Sequence, residues 1–581
     1  LLQPLSSLLV LVQYIDSTRS AYLPDMMWGS KLSAVLSALS LTHSASPATE
    51  LEQVAPESNV KQVAIIGAGA GGSSTAYYLQ KFAEAEGLAV NITVFEKTDR
   101  IGGRTLTVEA YGNPLEPVEL GASIFIEANH ILYNASLNFG LPLKEPESGS
   151  DGFLGIWDGE KFVFTQDDSS WEWWNLAKLF WKYGTAPYKA QKLVQSTVAT
   201  FLQLYEKPHF PFRSLTQRVF ELDLLKATSV TGEQFLANNE IGELFAHDII
   251  QAATRVNYAS NLKHIHGLET MVSLAPEGAK QVIGGNWQIF ATMLHRSNAT
   301  VQKNTSVASI MVKSGPSSSK YLLSTKSAHS EANGEVDQYP VAFDNIVIAT
   351  PWQYGDISVS KDLFQKKIDE IPYTKLHVTL FASPFRISPE YFGLEAGSRA
   401  PDSVLTTLNP NDDSKAGSEG AGKAGFYSIS TLRTATNPDT LKDEFIYKIF
   451  SPEKVTAEFL SKLLGVEVPK SIVPAQKTEK GSSRTVDPIS WYHPHVFNSY
   501  PIEYPRVTFQ DPILRDGLYY LSGIESFISC METSSLMGMN IAKLIADDFS
   551  DAKEKLEKVE TDNAQDVLGQ SEKEAPVADE L

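Results

Sequence analysis

The spacing of apolar and polar residues is most regular in the part of the chain that follows position 60. A short apolar run at 63–66 leads into the glycine-rich turn 67–72, and apolar residues then recur at helical spacing as far as Glu86. A second run, 90–95, is rich in β-branched residues and is followed by the acid Glu96. Short apolar runs bounded by turn residues predict buried strands, and recurrence every three to four residues predicts a helix. The pattern therefore predicts a strand, a glycine turn, a helix and a second strand with an acid at its end.

Three glycines of this turn have the GxGxxG spacing: Gly67, Gly69 and Gly72. In such a unit the first glycine permits a tight turn, the second lets the backbone approach a pyrophosphate, and the third allows close packing of helix on strand. The helix N-terminus favours an anion because its N–H groups are unpaired. Glu96 is placed to accept hydrogen bonds from ribose hydroxyls, which disfavours the 2′-phosphate of NADP. The pattern favours a dinucleotide-binding unit over a glycine-rich loop in an ordinary α/β domain.

Three further segments resemble motifs of FAD-dependent oxidases related to glutathione reductase and the amine oxidases. They are Arg-Ile-Gly-Gly-Arg-Thr at 100–105, Glu-Leu-Gly-Ala-Ser at 119–123, and the segment 517–525, which ends in Gly-Ile-Glu. In those oxidases the first two segments contact the flavin side of the cofactor, and the third closes over its ribitol and phosphate. The resemblance implies FAD as the cofactor and the following cofactor-binding residues: Gly67, Gly69, Gly72, Glu96, Lys97, Gly102, Gly103, Arg104, Gly121, Ala122, Gly523 and Glu525.

Beyond the glycine turn the pattern alternates between two kinds of segment. Residues 151–280 are aromatic and helical, whereas 301–312, 320–327 and 343–348 have the composition of strands. We therefore expect an α/β fold with a discontinuous Rossmann-type FAD-binding domain and an inserted α+β substrate domain. The predicted boundaries are 1–60 for a leader and linker, 61–150, 282–352 and 506–549 for the FAD domain, 151–281 and 353–505 for the substrate domain, and 550–581 for a disordered acidic tail.

Composition narrows the classes of partner. The net charge of −20 over 581 residues argues against nucleic acid and against an anionic membrane surface as electrostatic partners. The chain has one cysteine, Cys530, so no disulfide forms within it. No clustered set of ligands predicts a metal site.

Targeting signals point to the secretory or endomembrane pathway, that is, the ER lumen, a vacuole or a lysosome. Between Met27 and Ser46 lie a lysine, an apolar run too short to span a bilayer, and small residues at its end, as in a signal peptide. The ending Ala-Asp-Glu-Leu at 578–581 resembles ER-retention signals, although a chance acidic ending accounts for it equally well. Four sequons supply the glycosylation candidates, of which the first opens a predicted strand where burial would prevent modification: Asn91, Asn134, Asn298 and Asn304.

The segments 120–125, 375–381 and 521–534, taken with the FAD motifs, resemble the prenylcysteine oxidase (prenylcysteine lyase) family across roughly residues 60–550. The resemblance implies a thioether oxidase that acts on S-farnesyl- or S-geranylgeranyl-cysteine released when prenylated proteins are degraded. With O₂ and water, such an enzyme yields cysteine, a prenyl aldehyde and H₂O₂. The long prenyl chain requires an apolar pocket, since burying fifteen carbons releases at most about 10 kcal/mol.

An aromatic segment is the candidate lining for that pocket. Its members are Trp171, Trp173, Trp174, Phe180 and Trp181. The alternatives are an aromatic core, or an interfacial patch that makes peripheral contact with a membrane. No transmembrane segment is expected.

Candidates for catalytic side chains come from two short stretches. In the strand predicted around 373–381, alternation places Lys375 and His377 on one face, and many amine oxidases carry a lysine in a comparable strand. His493 and His495 form the histidine pair best suited to proton transfer during water addition. The alternative to a catalytic role is that Lys375 is a surface lysine and that His493 and His495 are a pair of histidines on a loop. Cys530 is interpreted as a buried free thiol in preference to a covalent flavin link.

Two other functions remain open from the sequence. One is an amine or polyamine oxidase on the same fold, which needs acidic or aromatic groups to hold an ammonium. The other is a secreted flavoprotein that binds a lipid or a partner without catalysis. Intact glycines and Glu96 argue for a retained cofactor and leave turnover open.

Overall fold

The computed structural model describes residues 60–146, 152–167, 172–275, 278–314, 319–327, 336–360, 362–364, 367–472 and 486–571. The predicted signal peptide, the ending 578–581 and Trp171 lie outside these ranges. In the described chain, no helix is both long enough and apolar enough to cross a membrane. The same ranges hold no group of three or more His, Cys, Asp or Glu side chains arranged for a metal ion.

The strands are listed here in chain order. They are β1 (Lys61–Ile66), β2 (Val90–Phe95), β3 (Thr107–Glu109), β4 (Pro117–Glu119), β5 (Leu143–Lys144), β6 (Phe153–Trp157), β7 (Phe162–Asp167), β8 (Gln281–Val282), β9 (Thr300–Gln302), β10 (Thr305–Ser314), β11 (Ser319–Ser327), β12 (Asp337–Gln338), β13 (Asn345–Ile348), β14 (Ser358–Val359), β15 (Tyr373–Ser383), β16 (Ser403–Thr406), β17 (Ser428–Thr436), β18 (Asp443–Ser451), β19 (Trp491–Pro501), β20 (Ile513–Arg515) and β21 (Leu518–Tyr520).

The helices vary widely in length, and a π-helical turn, Ala246–Ile250, joins the eighth to the ninth. They are α1 (Ala70–Glu86), α2 (His130–Asn138), α3 (Glu172–Tyr183), α4 (Ala186–Leu202), α5 (Leu215–Glu221), α6 (Leu225–Thr228), α7 (Gly232–Asn238), α8 (Glu243–Phe245), α9 (Gln251–Tyr258), α10 (Gly267–Val272), α11 (Trp287–Arg296), α12 (Ala457–Leu464) and α13 (Met531–Ser571).

A six-stranded sheet in the order β20-β21-β13-β1-β2-β9 forms the centre of the first domain. Its strands are parallel except for β20. Val63 and Ile65 pack on one face with helices α1 and α13, and Ala64 and Ile66 pack on the other face with the sheet β12-β11-β10-β14. Because both faces are covered, β1 is continuously apolar from Val63 to Ile66, as is usual for a buried parallel strand. The predicted strand–turn–helix–strand unit is confirmed at 61–95.

A seven-stranded sheet in the order β19-β15-β18-β17-β16-β6-β7 belongs to the second part of the molecule. One of its faces packs against α12, and the other contributes Leu376 and Val378 of β15 to the wall of a large cavity. The predicted α/β class with an added mixed sheet is confirmed. The predicted domain boundaries stay predictions, although β14, placed there in the substrate segment, pairs with β10 of the first domain.

The C-terminal region differs from the prediction of a disordered tail beginning at residue 550. Helix α13 continues through that position to Ser571. Residues 551–568 contain neither glycine nor proline and are rich in Ala, Lys, Glu and Leu, which favour helix. Their helix extends one already nucleated by packing against α1, so only propagation is required.

Candidate functional site

The glycine turn forms one end of a cavity of about 450 Å³, which we call the glycine-turn cavity. It lies at the carboxyl ends of β1, β2 and β13, the usual ligand position in an open parallel sheet. Helix α1 begins directly after the turn, and its N-cap residue, Gly69, supplies no capping side chain. The first N–H groups of α1 therefore remain available to an anion in the cavity.

Two positions of the motif require glycine for different structural reasons. A Cβ added to Gly69 meets only the Cα of Gly103, at 3.8 Å, and Gly69 lines the cavity. A Cβ added to Gly72 comes within 1.9 Å of the carbonyl oxygen of Gly67, and Gly72 is buried. Gly69 thus leaves room for a ligand, whereas Gly72 is required by the packing of helix on strand. This division fits a dinucleotide pyrophosphate at the turn.

Glu96 occupies the end of β2, where the sequence predicted a ribose-binding acid. One carboxylate oxygen accepts from the Ala68 N–H at 2.9 Å, and the other accepts from the N–H and hydroxyl of Thr98 at 2.9 and 2.8 Å. These bonds fix the carboxylate at the cavity wall. Each oxygen has two lone pairs, so Oε2 keeps acceptor capacity for a ligand hydroxyl.

The turn at 100–105 docks on the glycine turn and extends to the C-terminal motif. The Gly102 N–H donates to the carbonyl of Ala68 at 2.9 Å. The Arg104 guanidinium donates to the carboxylate of Glu525 at 2.6 Å and to the carbonyl of Ser499 at 2.7 Å. The Tyr373 hydroxyl also donates to Glu525, at 3.1 Å. Arg104 and Glu525 therefore join three distant segments of the cavity wall through their own ion pair.

A second cavity of about 310 Å³, which we call the apolar cavity, adjoins the first. Its lining includes Phe201 and Val256 from two helices and Phe125 and Ile528 from two loops. Seven residues line both cavities: Gly121, Ala122, Phe450, Tyr500, Ser529, Cys530 and Met531. A ligand in the apolar cavity therefore lies directly beside one bound in the glycine-turn cavity.

Most of the predicted cofactor-binding residues are brought together. Ten of the twelve line the glycine-turn cavity: Gly67, Gly69, Glu96, Lys97, Gly102, Gly103, Arg104, Gly121, Ala122 and Glu525. Gly72 and Gly523 do not. The backbone of Gly523 packs against Gln510, whose Cβ lies 2.7 Å from the position of an added Cβ. Contact of these residues with a cofactor stays a prediction.

The predicted catalytic candidates are largely separated from the cavities. Lys375 is exposed, and neither Lys375 nor His377 lines either cavity, because alternation along β15 turns Leu376 and Val378 inward instead. The histidine pair lies on a strand, β19, and not on a loop. Only His495 of that pair reaches the glycine-turn cavity. Burial, then His493 and Arg100, lower the pKa of His495, which favours its neutral form.

Within the aromatic segment, Phe180 and Trp181 do not line the apolar cavity, and the side chains of Trp171, Trp173 and Trp174 lie outside what the structure describes. Phe180 and Trp181 are 54% and 94% exposed, although Leu179 beside them is buried. One face of α3 therefore packs inward, and the aromatic pair points to solvent. The lining of the apolar cavity comes instead from α4, α9 and the loop after β4, through residues such as Val198, Val256 and Ile124.

Cys530 lies in the wall shared by the two cavities and is a free thiol. Its sulfur contacts the Thr533 hydroxyl at 3.4 Å. Burial raises the pKa of Cys530 to about 12, so the thiol stays protonated at neutral pH. A protonated buried thiol is a poor nucleophile, which agrees with its interpretation as a free thiol.

Sequence reasoning missed several polar residues of the cavity walls. Lys448 and Tyr258 come from a strand and a helix with no motif of their own, and Glu532 lies in the family-like segment 521–534 without having been singled out. One signal was present: Lys448 is a charged residue inside the apolar run Ile-Tyr-Lys-Ile-Phe at 446–450. A lysine at such a position either points away from the core or serves a buried polar site.

All four sequon asparagines are exposed. Asn91, expected to be too buried for glycosylation, points to solvent because it precedes the buried part of β2, which begins at Ile92. Exposure is compatible with glycosylation at each site, which stays a prediction.

Glu532 provides a test of pH-dependent stability. It is 1% exposed, and its carboxylate accepts from the N–H groups of Ile131 and Leu132 at 2.9 and 3.0 Å and from the Tyr205 hydroxyl at 2.8 Å. Burial raises its pKa from 4.5 to about 7, against the lowering effect of these donors. The folded state thus keeps a proton that the unfolded state releases, so the contribution to stability is fully present below pH 4.5 and is lost as pH rises toward 7.

We expect Glu532→Gln to remove this part of the pH dependence. The difference in unfolding free energy between wild type and variant should change by about 3 kcal/mol between those two pH values. Urea denaturation across that range measures it, with the exposed Glu243 changed to Gln as the control. Parallel stability curves for wild type and Glu532→Gln would contradict the burial argument.

The fold and the site define the class of the protein. A Rossmann-type sheet, an open glycine turn and an acid at the end of the second strand form a dinucleotide-binding site, and an apolar ligand cavity adjoins it. A family model described as an NAD(P)-binding Rossmann-like domain matches residues 65–134, and one described as prenylcysteine lyase matches residues 166–558. The chain belongs to the prenylcysteine lyase family, and the resemblance seen in the sequence is confirmed.

Relatives of this family match most of the chain. Farnesylcysteine lyase of Arabidopsis thaliana is 29% identical over 509 residues, which is 84% of this chain and 88% of that protein. Prenylcysteine oxidase 1 of Rattus norvegicus is 26% identical over 515 residues, with 85% and 90% covered. Among solved structures, a fatty acid isomerase from P. acnes aligns with a TM-score of 0.50 at 13% identity, covering 83% of this chain and 98% of that one. At such low identity the structural likeness supports the fold alone.

Proposed function

We propose that the protein is an FAD-dependent thioether oxidase that cleaves S-prenylcysteine. Farnesyl- or geranylgeranyl-cysteine, O₂ and water are its substrates, and cysteine, a prenyl aldehyde and H₂O₂ are its products. The observation that carries this proposal is the apolar cavity that shares seven wall residues with the dinucleotide site. The relatives named farnesylcysteine lyase and prenylcysteine oxidase support the choice of substrate.

The residues of the glycine-turn cavity fit FAD. Gly69 leaves the backbone open for the pyrophosphate, Glu96 keeps acceptor capacity for the ribose, and Arg104 and Glu525 fix the far wall. When bound, the flavin supplies the hydride acceptor for the carbon next to sulfur.

The protein's own contribution is to position the thioether and exclude bulk water. Side chains such as Phe201, Val256 and Ile528 bury the prenyl chain, and burial of fifteen carbons offers at most about 10 kcal/mol. Phe450 and Tyr500 lie in the shared wall, where the sulfur end of the substrate must reach the dinucleotide site. The walls thereby hold the reacting carbon at the junction.

The proposed setting is the secretory or endomembrane pathway. The predicted signal peptide and the exposure of all four sequon asparagines support it. The exposed side chains of Phe180 and Trp181 support peripheral contact with a membrane interface, where aromatic residues are favoured.

Flavin reduction under anaerobic conditions tests the proposed reaction. We expect farnesylcysteine to bleach the flavin absorbance and, once air is admitted, to yield H₂O₂ in proportion to substrate. Spermine and tyramine, tested in parallel, should leave the flavin oxidised. Bleaching by an amine but not by farnesylcysteine would identify an amine oxidase, and bleaching by none would indicate a binding protein.

A further inference from the structure

A buried lysine and a glutamate lie together in the wall of the apolar cavity. Lys448 on β18 is 3% exposed, and Glu119 at the end of β4 is half-buried. Both line the cavity, where Lys144, Arg433 and Glu532 are the other charged residues among mainly apolar ones. Charged groups in such surroundings cost free energy unless partners compensate them.

The hydrogen bonds of this pair are incomplete. The Lys448 ammonium donates to the backbone carbonyl of Glu119 at 2.9 Å and to the Ser123 hydroxyl at 3.0 Å. An ammonium carries three N–H groups, so one more acceptor fits. The Glu119 carboxylate accepts from the Asn286 N–H at 2.7 Å through Oε1, and its buried Oε2 has no hydrogen-bond partner within the described chain. The pair therefore lacks one acceptor and one donor.

The pair lies close to the wall that the two cavities share. Glu119 is two residues from Gly121, and Lys448 is two residues from Phe450, both in the wall shared by the cavities. In an S-prenylcysteine, only the β-carbon and the sulfur separate the α-carbon from the carbon that is oxidised. A headgroup bound at this pair therefore leaves the reacting carbon at the junction, and the chain extends along the apolar wall.

Resting on the proposed function, we propose that Lys448 and Glu119 form the subsite for the amino-acid headgroup. Lys448 binds the α-carboxylate, and Glu119 binds the α-ammonium. The zwitterion supplies the acceptor and the donor that the pair lacks. The two residues are thus specificity-determining, and they select free S-alkyl cysteine over thioethers with one charge removed.

The titration behaviour of the pair agrees with this role. Burial raises the pKa of Glu119 and lowers the pKa of Lys448, while the charge of each favours the ionised form of the other. A zwitterion placed across the pair adds an opposite charge beside each group, which favours the ionised form of both.

Binding of saturated ligands to the flavin-loaded protein tests the subsite apart from turnover. The probes are S-dodecyl-L-cysteine, S-dodecylcysteamine, which lacks the carboxylate, and S-dodecyl-3-mercaptopropionate, which lacks the ammonium. Calorimetry should show that each truncation weakens binding to wild type by at least about tenfold. Equal affinity for the three ligands would overturn the proposal without recourse to any variant.

Two variants assign each charge to its partner. Lys448→Gln should bind S-dodecylcysteine and S-dodecylcysteamine equally, and Glu119→Gln should no longer distinguish S-dodecylcysteine from the mercaptopropionate. The matched controls Lys454→Gln and Glu453→Gln, exposed just after β18, should keep wild-type discrimination. Discrimination retained by folded Lys448→Gln would refute its role.

Turnover of farnesylcysteine by the wild-type protein distinguishes failure of the subsite proposal from failure of the proposed function. Turnover without headgroup discrimination overturns the subsite and leaves the proposed function standing. Headgroup discrimination without turnover overturns the proposed function and leaves the subsite standing.

Discussion

Gly69→Val yields a folded protein without flavin. The backbone of Gly69 has φ −79° and ψ −169°, a β conformation that valine adopts without strain. An added Cβ meets no atom closer than 3.8 Å, so the side chain fits into the cavity. There it occupies the space needed for close approach of a pyrophosphate to the backbone. We expect the ratio of flavin to protein absorbance to fall at least about tenfold.

Two other glycines make this prediction specific. Gly242 has a negative φ and no atom near an added Cβ, so Gly242→Val should keep both fold and flavin. Gly72→Val should destabilise the protein itself, because its Cβ lies 1.9 Å from the Gly67 carbonyl oxygen. Circular dichroism and flavin absorbance distinguish the three variants. A yellow, folded Gly69→Val protein would refute the assignment of the dinucleotide site.

Arg255→Leu is expected to lower the unfolding free energy by about 3–5 kcal/mol. Arg255 is fully buried, and burial lowers its pKa to about 10, so the side chain remains charged at neutral pH. Its guanidinium donates to Asn261 and to the carbonyl of Gly420, each at 2.7 Å, and to the carbonyl of Ala421 at 2.9 Å. Leucine removes the donor to the Asn261 amide oxygen and the Ala421 carbonyl, and leaves the Gly420 carbonyl with the Asn261 side-chain amide as its donor.

Loss of the Arg255 hydrogen bonds should also disturb the apolar cavity, because Arg255 belongs to α9. The same helix supplies Val256 and Tyr258 to the cavity wall. The carbonyls that Arg255 holds belong to the turn Gly417–Ala424, in which Gly420, Ala421 and Ala424 are buried. These hydrogen bonds fix the turn against α9.

Urea denaturation of the flavin-loaded protein measures the loss, and Arg213→Leu is the matched control. Arg213 is 59% exposed and pairs with Asp548, so its replacement should change the unfolding free energy by less than about 1 kcal/mol. A similarly small change for Arg255→Leu would show that the 417–424 carbonyls find other donors.

The sequence predicted the core of the dinucleotide site because its residues are close together in the chain and their roles depend on local backbone structure. Gly67 has a φ of 108°, Gly69 leaves room for a ligand, and Gly72 allows the helix to pack closely on the strand. Glu96 directly follows the second strand. Resemblance to the FAD-dependent oxidases predicted the turn at 102–104 and the segment 121–122 as part of the site, and both line the glycine-turn cavity. Gly523 does not line this cavity, because its backbone packs against Gln510, a contact that spacing does not reveal.

The ligand side of the site depended on tertiary structure. Strand alternation from the sequence alone does not say which face is inward, and β15 turns Leu376 and Val378 toward the cavity in place of Lys375 and His377. Likewise, α3 buries Leu179 and exposes Phe180 and Trp181.

The sequence by itself therefore determined the fold class through glycine conformation and apolar periodicity, which are local properties, and it indicated the family through the resemblance of its motifs. Only the tertiary structure brought Lys448 of β18 beside Glu119 of β4, more than three hundred residues away in the chain. Nothing in the spacing of either residue predicts that contact, since it depends on how the seven-stranded sheet packs over the first domain.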